Sequence, residues 1–170
     1  MPPRRGQPGR SPVPKSTFAI RKIVVRIEVG SNRMSASDDP LFLHLEGACG
    51  REFRLSLGDH ESLRKGAADA FVLAPSDSGE ANVENPELND PTTPPLHLEG
   101  IERVALRKGL DPIPNVRGVG ELDDRLEITH ARVEFHVDEQ EKPIRYERTG
   151  PFWLGLACGL SLDLGAVKSP

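Results

Sequence analysis

The sequence is poor in cysteine and in aromatic residues. This composition argues against a fold that is cross-linked by disulfides or rich in aromatic side chains. It has 2 Cys in 170 residues, and aromatic residues make up 5% of the chain. Cys49 and Cys158 lie far apart, and their spacing gives no sign that they pair, so we expect each to behave as a small buried apolar residue. The 16 Gly and 16 Pro indicate many turns, which favours short strands over long helices.

The chain also lacks a long apolar run. The nearest approach to one, residues 152–167, is too short to span a bilayer and is interrupted by Gly155, Gly159 and Asp163. The N-terminus carries charge without an apolar stretch behind it, so no secretory signal is predicted. We therefore expect a soluble protein that is not classically exported and is cytoplasmic.

Charge is distributed unevenly along the chain. Residues 1–16 are rich in Pro, Arg and Gly, and they carry four basic side chains and no acid, so the net charge of −4 divides into +4 for this tail and −8 for the rest. Such a segment cannot bury enough apolar surface to offset the entropy of ordering, and we predict a disordered tail. The acidic remainder argues against nucleic-acid binding by the folded domain.

Motifs for catalysis are missing from the sequence. The five histidines, at positions 44, 60, 97, 130 and 136, have no metal-ligand spacing to a Cys or to one another. No serine lies in a Gly-x-Ser-x-Gly elbow, and Gly118-Val119-Gly120 is not followed by a helix pattern that a phosphate loop requires. The sequence therefore predicts a protein that is not an enzyme.

What the sequence does contain is alternation of apolar and polar residues in short stretches. Ile23, Val25, Ile27 and Val29 alternate with polar residues, and about seven or eight segments of this kind follow one another between turns. No segment keeps a 3.6-residue period. We predict one all-β domain over residues 17–170, an antiparallel β-sandwich of two sheets with about eight strands.

Two segments of this domain are unusual. Residues 75–95 contain scarcely any large apolar residue and are predicted to form a mobile insertion loop. In residues 154–164, Leu alternates with small residues, which predicts a core strand with one large and one small face. The alternative is that this strand joins a neighbouring subunit by strand addition.

Several short patterns resemble those of one known family. Ser35-Ala36-Ser37-Asp38 is similar to its small-small-Thr-Asp step, and Gly66-Ala67-Ala68-Asp69-Ala70-Phe71 matches its Gly-x-x-Asp-x-Phe signature. Residues 98–106 and Phe152-Trp153-Leu154 resemble two later strands. In order over residues 18–155, these patterns resemble the PLAT, or lipoxygenase homology, domain, although the Trp of its seventh strand is absent.

The resemblance implies an eight-stranded antiparallel sandwich that attaches to membranes or to other proteins, with calcium as an optional cofactor held by loops at one end. Asp38 and Asp69 match acids of the family, and neighbouring oxygen donors complete a predicted ligand set. The set consists of Gly30, Asn32, Asp38, Asp39 and Asp69. The alternative is that these residues cap turns, as Asn, Asp and Ser do routinely.

These observations lead to a non-catalytic, stand-alone binding module as the first hypothesis. A protein partner is favoured over a membrane, because Met34 is the only apolar residue that the first loop offers and an acidic body repels anionic lipid. Peripheral membrane contact remains a second mode of attachment. The alternative hypothesis is a structural subunit of a homo-oligomer or a multi-protein assembly.

Overall fold

The computed structural model describes residues 18–58, 61–110 and 125–166. Over these ranges the chain forms eight β-strands and one 3-10 helix, Leu98–Gly100. The strands are β1 (Ile20–Val29), β2 (Leu41–Glu46), β3 (Arg51–Arg54), β4 (Ala68–Leu73), β5 (Arg103–Lys108), β6 (Leu126–Val137), β7 (Ile144–Leu154) and β8 (Ser161–Ala166). The predicted tail, residues 1–16, lies outside the described residues. Among the described residues, no helix has the length and apolar character needed to cross a bilayer.

The strands form two antiparallel four-stranded sheets, which confirms the predicted all-β sandwich. One sheet has the order β4-β1-β6-β7 and the other β3-β2-β5-β8. The apolar positions of the alternating strands face each other between the sheets, so that Ile23, Val25, Leu43, Phe53 and Leu106 are completely buried. Burial of a side chain of this size contributes about 1.5–3 kcal/mol, and the alternation therefore accounts for the fold.

The prediction of a single strand over residues 154–164 is wrong. β7 ends at Leu154, residues 155–160 make a turn, and β8 then runs back along β5. Gly155 and Gly159 exchange backbone hydrogen bonds across this turn, both at 2.9 Å, and Gly159 has a φ of 98°, which favours glycine. Large and small residues continue to alternate through this turn by coincidence, because the small residues there allow the turn to be tight.

Residues 75–95 pack along the side of the sandwich where β3 and β4 are the edge strands. Val83 is buried and forms a β-bridge with Leu57. The Asn82 amide donates to the Ala70 carbonyl at 2.8 Å and accepts from the Val72 N–H at 2.7 Å, as a strand backbone would. The segment thus packs more closely than its composition indicates, while its predicted mobility stays a prediction.

The two cysteines are free thiols at opposite ends of the sandwich. Cys49 lies in the turn between β2 and β3 and is partly buried, whereas Cys158 is exposed in the turn between β7 and β8. The expected burial is therefore wrong for Cys158, because that residue belongs to a turn and not to a strand.

Candidate binding surface at one end of the sandwich

Four loops lie at the end of the sandwich where β1, β5 and β7 finish. We call this surface the loop end, and it consists of residues 30–40, 61–67, 109–110 and 155–160. Backbone hydrogen bonds connect the loops to one another and to the strands: Gly66 N–H to Gly30 C=O (3.0 Å), Gly109 N–H to Pro40 C=O (2.7 Å) and Lys108 N–H to Leu160 C=O (2.8 Å). The loop end is thus held together by the backbone itself.

The predicted calcium ligands Gly30 and Asn32 are engaged by protein groups. The Gly30 carbonyl accepts hydrogen bonds from the Ser35 hydroxyl and from the Gly66 N–H. The Asn32 side-chain amide donates to Glu127 Oε2 at 2.7 Å. Both residues therefore connect the first loop to other parts of the domain.

Glu127 lies beneath this surface, and the sequence did not point to it. It lies near the start of β6, is 5% exposed, and its carboxylate packs directly on the α-carbon of Gly30. Its N–H donates to the Ser35 carbonyl at 2.9 Å. A polar residue between Leu126 and Ile128 is expected to face solvent in an alternating strand, so the pattern gave no signal of a buried carboxylate.

Asp69 fixes the loop that precedes β4. It is buried, and its Oδ2 accepts a hydrogen bond from the Leu63 N–H at 2.6 Å. Leu63 has a φ of 59°, a left-handed conformation that a leucine adopts only at a cost. The acid of the Gly-x-x-Asp-x-Phe pattern thus stabilises a strained turn.

Asp38 and Asp39 line a surface cleft of about 170 Å³ between residues 37–41 and 61–64. Glu61, Arg54 and Arg64 also line the cleft, so residues of both charge signs surround it. The Asp39 carboxylate forms an ion pair with the Lys108 ammonium. The structure therefore brings Asp38 and Asp39 into one cleft, while Asp69 lies behind it against Leu63.

As they are arranged, the five predicted ligands do not fit a calcium ion. Calcium takes six to eight oxygen ligands from groups that can turn toward it, whereas Asp39, Asp69 and the Gly30 carbonyl already accept from protein donors. In the described ranges, no three His, Cys, Asp or Glu side chains are close enough to hold a metal ion. Calcium binding by this chain stays a prediction.

The loop end also carries most of the exposed large apolar side chains. Within the described residues there are four of these, and three lie in different loops of this end: Met34 (64% exposed), Leu110 (47%) and Leu156 (55%). The fourth, Leu88, lies in the 75–95 segment along the side of the sandwich. The sequence showed only Met34, because Leu156 was assigned to a strand.

The outer faces of the two sheets carry paired charges. On one face, Glu52 accepts hydrogen bonds from Arg107 and His44, and the Arg107 guanidinium holds the pKa of Glu52 below its ordinary value. On the other face, Arg132 and His130 contact Glu147 in the same way, and the bond from Arg132 lowers the pKa of Glu147. The charges on these faces compensate each other, and none of the exposed large apolar side chains of the described residues lies there.

The comparisons with solved structures support the fold. Over 90% of this chain, alpha-toxin from Clostridium absonum superposes with a TM-score of 0.55 and 14% identity, and over 89% alpha-toxin from an avian strain of Clostridium perfringens gives 0.55 and 12%. A coral 8R-lipoxygenase, described as calcium-activated through a C2-like domain, gives 0.49 and 16% over 85% of this chain.

This chain spans 33% of each toxin chain and 17% of the lipoxygenase chain. No family model matches the sequence, and no relative was found among curated proteins. At these identities the toxins share the fold with this protein, and the comparison supports the two-sheet sandwich and no more. Membership of the PLAT family stays a resemblance.

Proposed function

We propose that this domain is a non-catalytic module that attaches to a lipid surface through its loop end. The observation that supports this most directly is the position of Met34, Leu110 and Leu156, which come from three separate loops and are exposed at the same end of the sandwich. Exposed apolar side chains that are concentrated on one surface indicate a site of interaction. Each of them contributes about 1.5–3 kcal/mol when fully buried, which suits reversible, peripheral attachment.

Hydrogen bonds connect the described parts of the loops that carry these side chains. The Gly109 N–H donates a hydrogen bond to the Pro40 carbonyl, and the Lys108 N–H donates one to the Leu160 carbonyl. The three loops are therefore connected through the end of β5. A surface that is already ordered loses little conformational entropy on binding. Three small apolar contacts are then sufficient for measurable affinity.

The charges of the loop end are mixed. Arg33, Arg64 and Lys65 are exposed beside the exposed acids Asp38 and Glu61. A surface that carries charges of both signs has little net attraction for anionic lipid headgroups. Lipid binding depends on the fraction of anionic lipid in the membrane only when such attraction is present. We therefore expect attachment to depend on the apolar side chains more than on the anionic content of the membrane.

Vesicle flotation with matched serine variants tests this proposal. The double variant Met34→Ser/Leu156→Ser is compared with Leu88→Ser, which removes a more exposed leucine outside the loop end. We expect the double variant to bind phosphatidylcholine vesicles at least tenfold more weakly, since two apolar contacts are lost, and Leu88→Ser to bind as the wild type does. Equal losses in all variants, or no binding by the wild-type chain, would reject the proposal.

A protein partner is the second candidate. The cleft beside Asp38 and Asp39 is lined by acidic and basic residues, and such a surface is complementary to a polar protein loop carrying both signs. Charge reversal at Arg54 and Arg64 weakens attachment to a protein of this kind and leaves vesicle flotation unchanged. The structural-subunit hypothesis is separate, and light scattering at low concentration tests it.

A further inference from the structure

Lys108 is a lysine in an unusual position. Its side chain is 0% exposed, and its ammonium pairs with the carboxylate of Asp39, whose side chain is 10% exposed. Lysine is almost never fully buried unless it is paired, because an ammonium loses its hydration inside a protein. The buried ammonium therefore depends on its ion pair with Asp39, and the pair is not an incidental surface contact.

The pair lies where the loops of the loop end converge. Lys108 is the last residue of β5, it lies opposite Leu41 of β2, and its N–H donates to the Leu160 carbonyl at 2.8 Å. The next residue, Gly109, donates to the Pro40 carbonyl at 2.7 Å. Through Asp39, the ammonium adds a side-chain link to the loop that carries Met34.

We infer that the Lys108 ammonium takes the place that a divalent cation would hold against Asp39, so that the loop end is ordered without calcium. The ammonium neutralises this carboxylate and connects two chain segments, which is what a bridging ion does. A calcium ion bound to Asp39 would lie within a few ångströms of the ammonium and would be repelled by it. The inference concerns the folded domain itself. One consequence of it, that the domain attaches to vesicles in the presence of chelator, rests on the proposed function.

Thermal unfolding of the full chain tests the inference, with 1 mM calcium or with chelator. The variants are Asp39→Asn, Lys108→Met and the double variant, and Glu87→Gln is the control at an exposed carboxylate in the 75–95 segment, outside the loop end. A calcium site with a dissociation constant of about 10–100 μM would raise the melting temperature by roughly 3–10 °C. We expect no such rise in the wild type.

We expect each single variant at the pair to lower the melting temperature by roughly 10 °C, because one buried charge is left unpaired. The double variant should recover much of this loss, because neither charge remains, and Glu87→Gln should change little. If Lys108→Met does not fold, the wild-type calcium response and the comparison of Asp39→Asn with the double variant still decide the question.

A calcium-induced rise in the wild type that Asp39→Asn abolishes would overturn the inference, as would strictly additive losses in the double variant. Vesicle flotation in chelator separates this inference from the proposed function. Absence of flotation with or without calcium rejects lipid attachment, and the unfolding results then still decide the role of Lys108. Flotation that requires calcium would overturn the inference.

Discussion

The Asp69 carboxylate accepts the backbone N–H of Leu63 at 2.6 Å while Leu63 holds a φ of 59°. We predict that Asp69→Ala lowers the free energy of unfolding by about 1–3 kcal/mol, because a buried donor loses its acceptor. Asp69→Asn keeps an acceptor oxygen and should retain most of the stability. Urea denaturation measures both, and equal losses in the two variants would show that the negative charge matters and not the hydrogen bond.

Gly30 allows the Glu127 carboxylate to pack directly on the backbone of the first loop. A β-carbon at position 30 would overlap the carboxylate of Glu127. We predict that Gly30→Ala costs about 1–3 kcal/mol of stability through overpacking, and that Glu127→Ala in the same chain relieves much of this cost. Thermal or urea unfolding of the two single variants and the double variant provides the measurement.

The control for Gly30→Ala is Gly58→Ala. A β-carbon at Gly58 meets only the Glu84 side chain at 4.0 Å, so this substitution should be neutral or slightly stabilising. A loss at Gly58 as large as that at Gly30 would mean that the cost comes from backbone conformation and not from Glu127.

The pair of Glu52 with Arg107 makes stability depend on pH in the acid range. The pKa of Glu52 in the folded chain lies below its ordinary value of 4.5, chiefly because Arg107 donates to it. A depressed pKa means that the contribution is complete above pH 4.5 and is lost as the pH falls through the folded-state pKa. For a partly exposed pair it amounts to less than about 1 kcal/mol.

Glu52→Gln should therefore be less stable than the wild type at pH 7, and the difference should disappear toward pH 3. Melting temperatures across this range measure it, with Glu87→Gln, in the 75–95 segment, as the control. A difference between wild type and Glu52→Gln that persists unchanged at pH 3 would contradict the assignment to an ion pair.

The strands could be predicted from the sequence because alternation reports directly on burial, and β1 and β2 illustrate this. Leu156 shows the limit of that signal, since small residues that make a tight turn can continue a period-two pattern. Asn82 shows a second limit, because its side chain hydrogen-bonds to β4 as a strand backbone would. A polar segment thereby packs against the sandwich. In both cases the deciding interaction joins atoms that the local pattern does not contain.

The five predicted ligands lie at or near the loop end, and their role in binding calcium stays a prediction. Asp38 and Asp39 do line a cleft at the end where the PLAT resemblance expects calcium. The partners that neutralise or occupy the predicted ligands, Lys108 and Glu127, come from distant strands, and both belong to residue types that are normally exposed. The sequence therefore gave no sign that either residue would contact the predicted ligands.

The 75–95 segment restricts how copies of this chain can associate. It covers the edge of β4 through Asn82 and meets the edge of β3 where the Arg54 N–H donates to Asn89 Oδ1 at 2.8 Å. On the opposite side, β7 carries Pro151 and several exposed charges, which discourage strand pairing. In the described part of the chain β8 is left as the accessible edge, and pairing of one edge with its own copy gives a closed, two-fold symmetric dimer. Strand addition by this domain would therefore stop at two copies and would not propagate into a fibre.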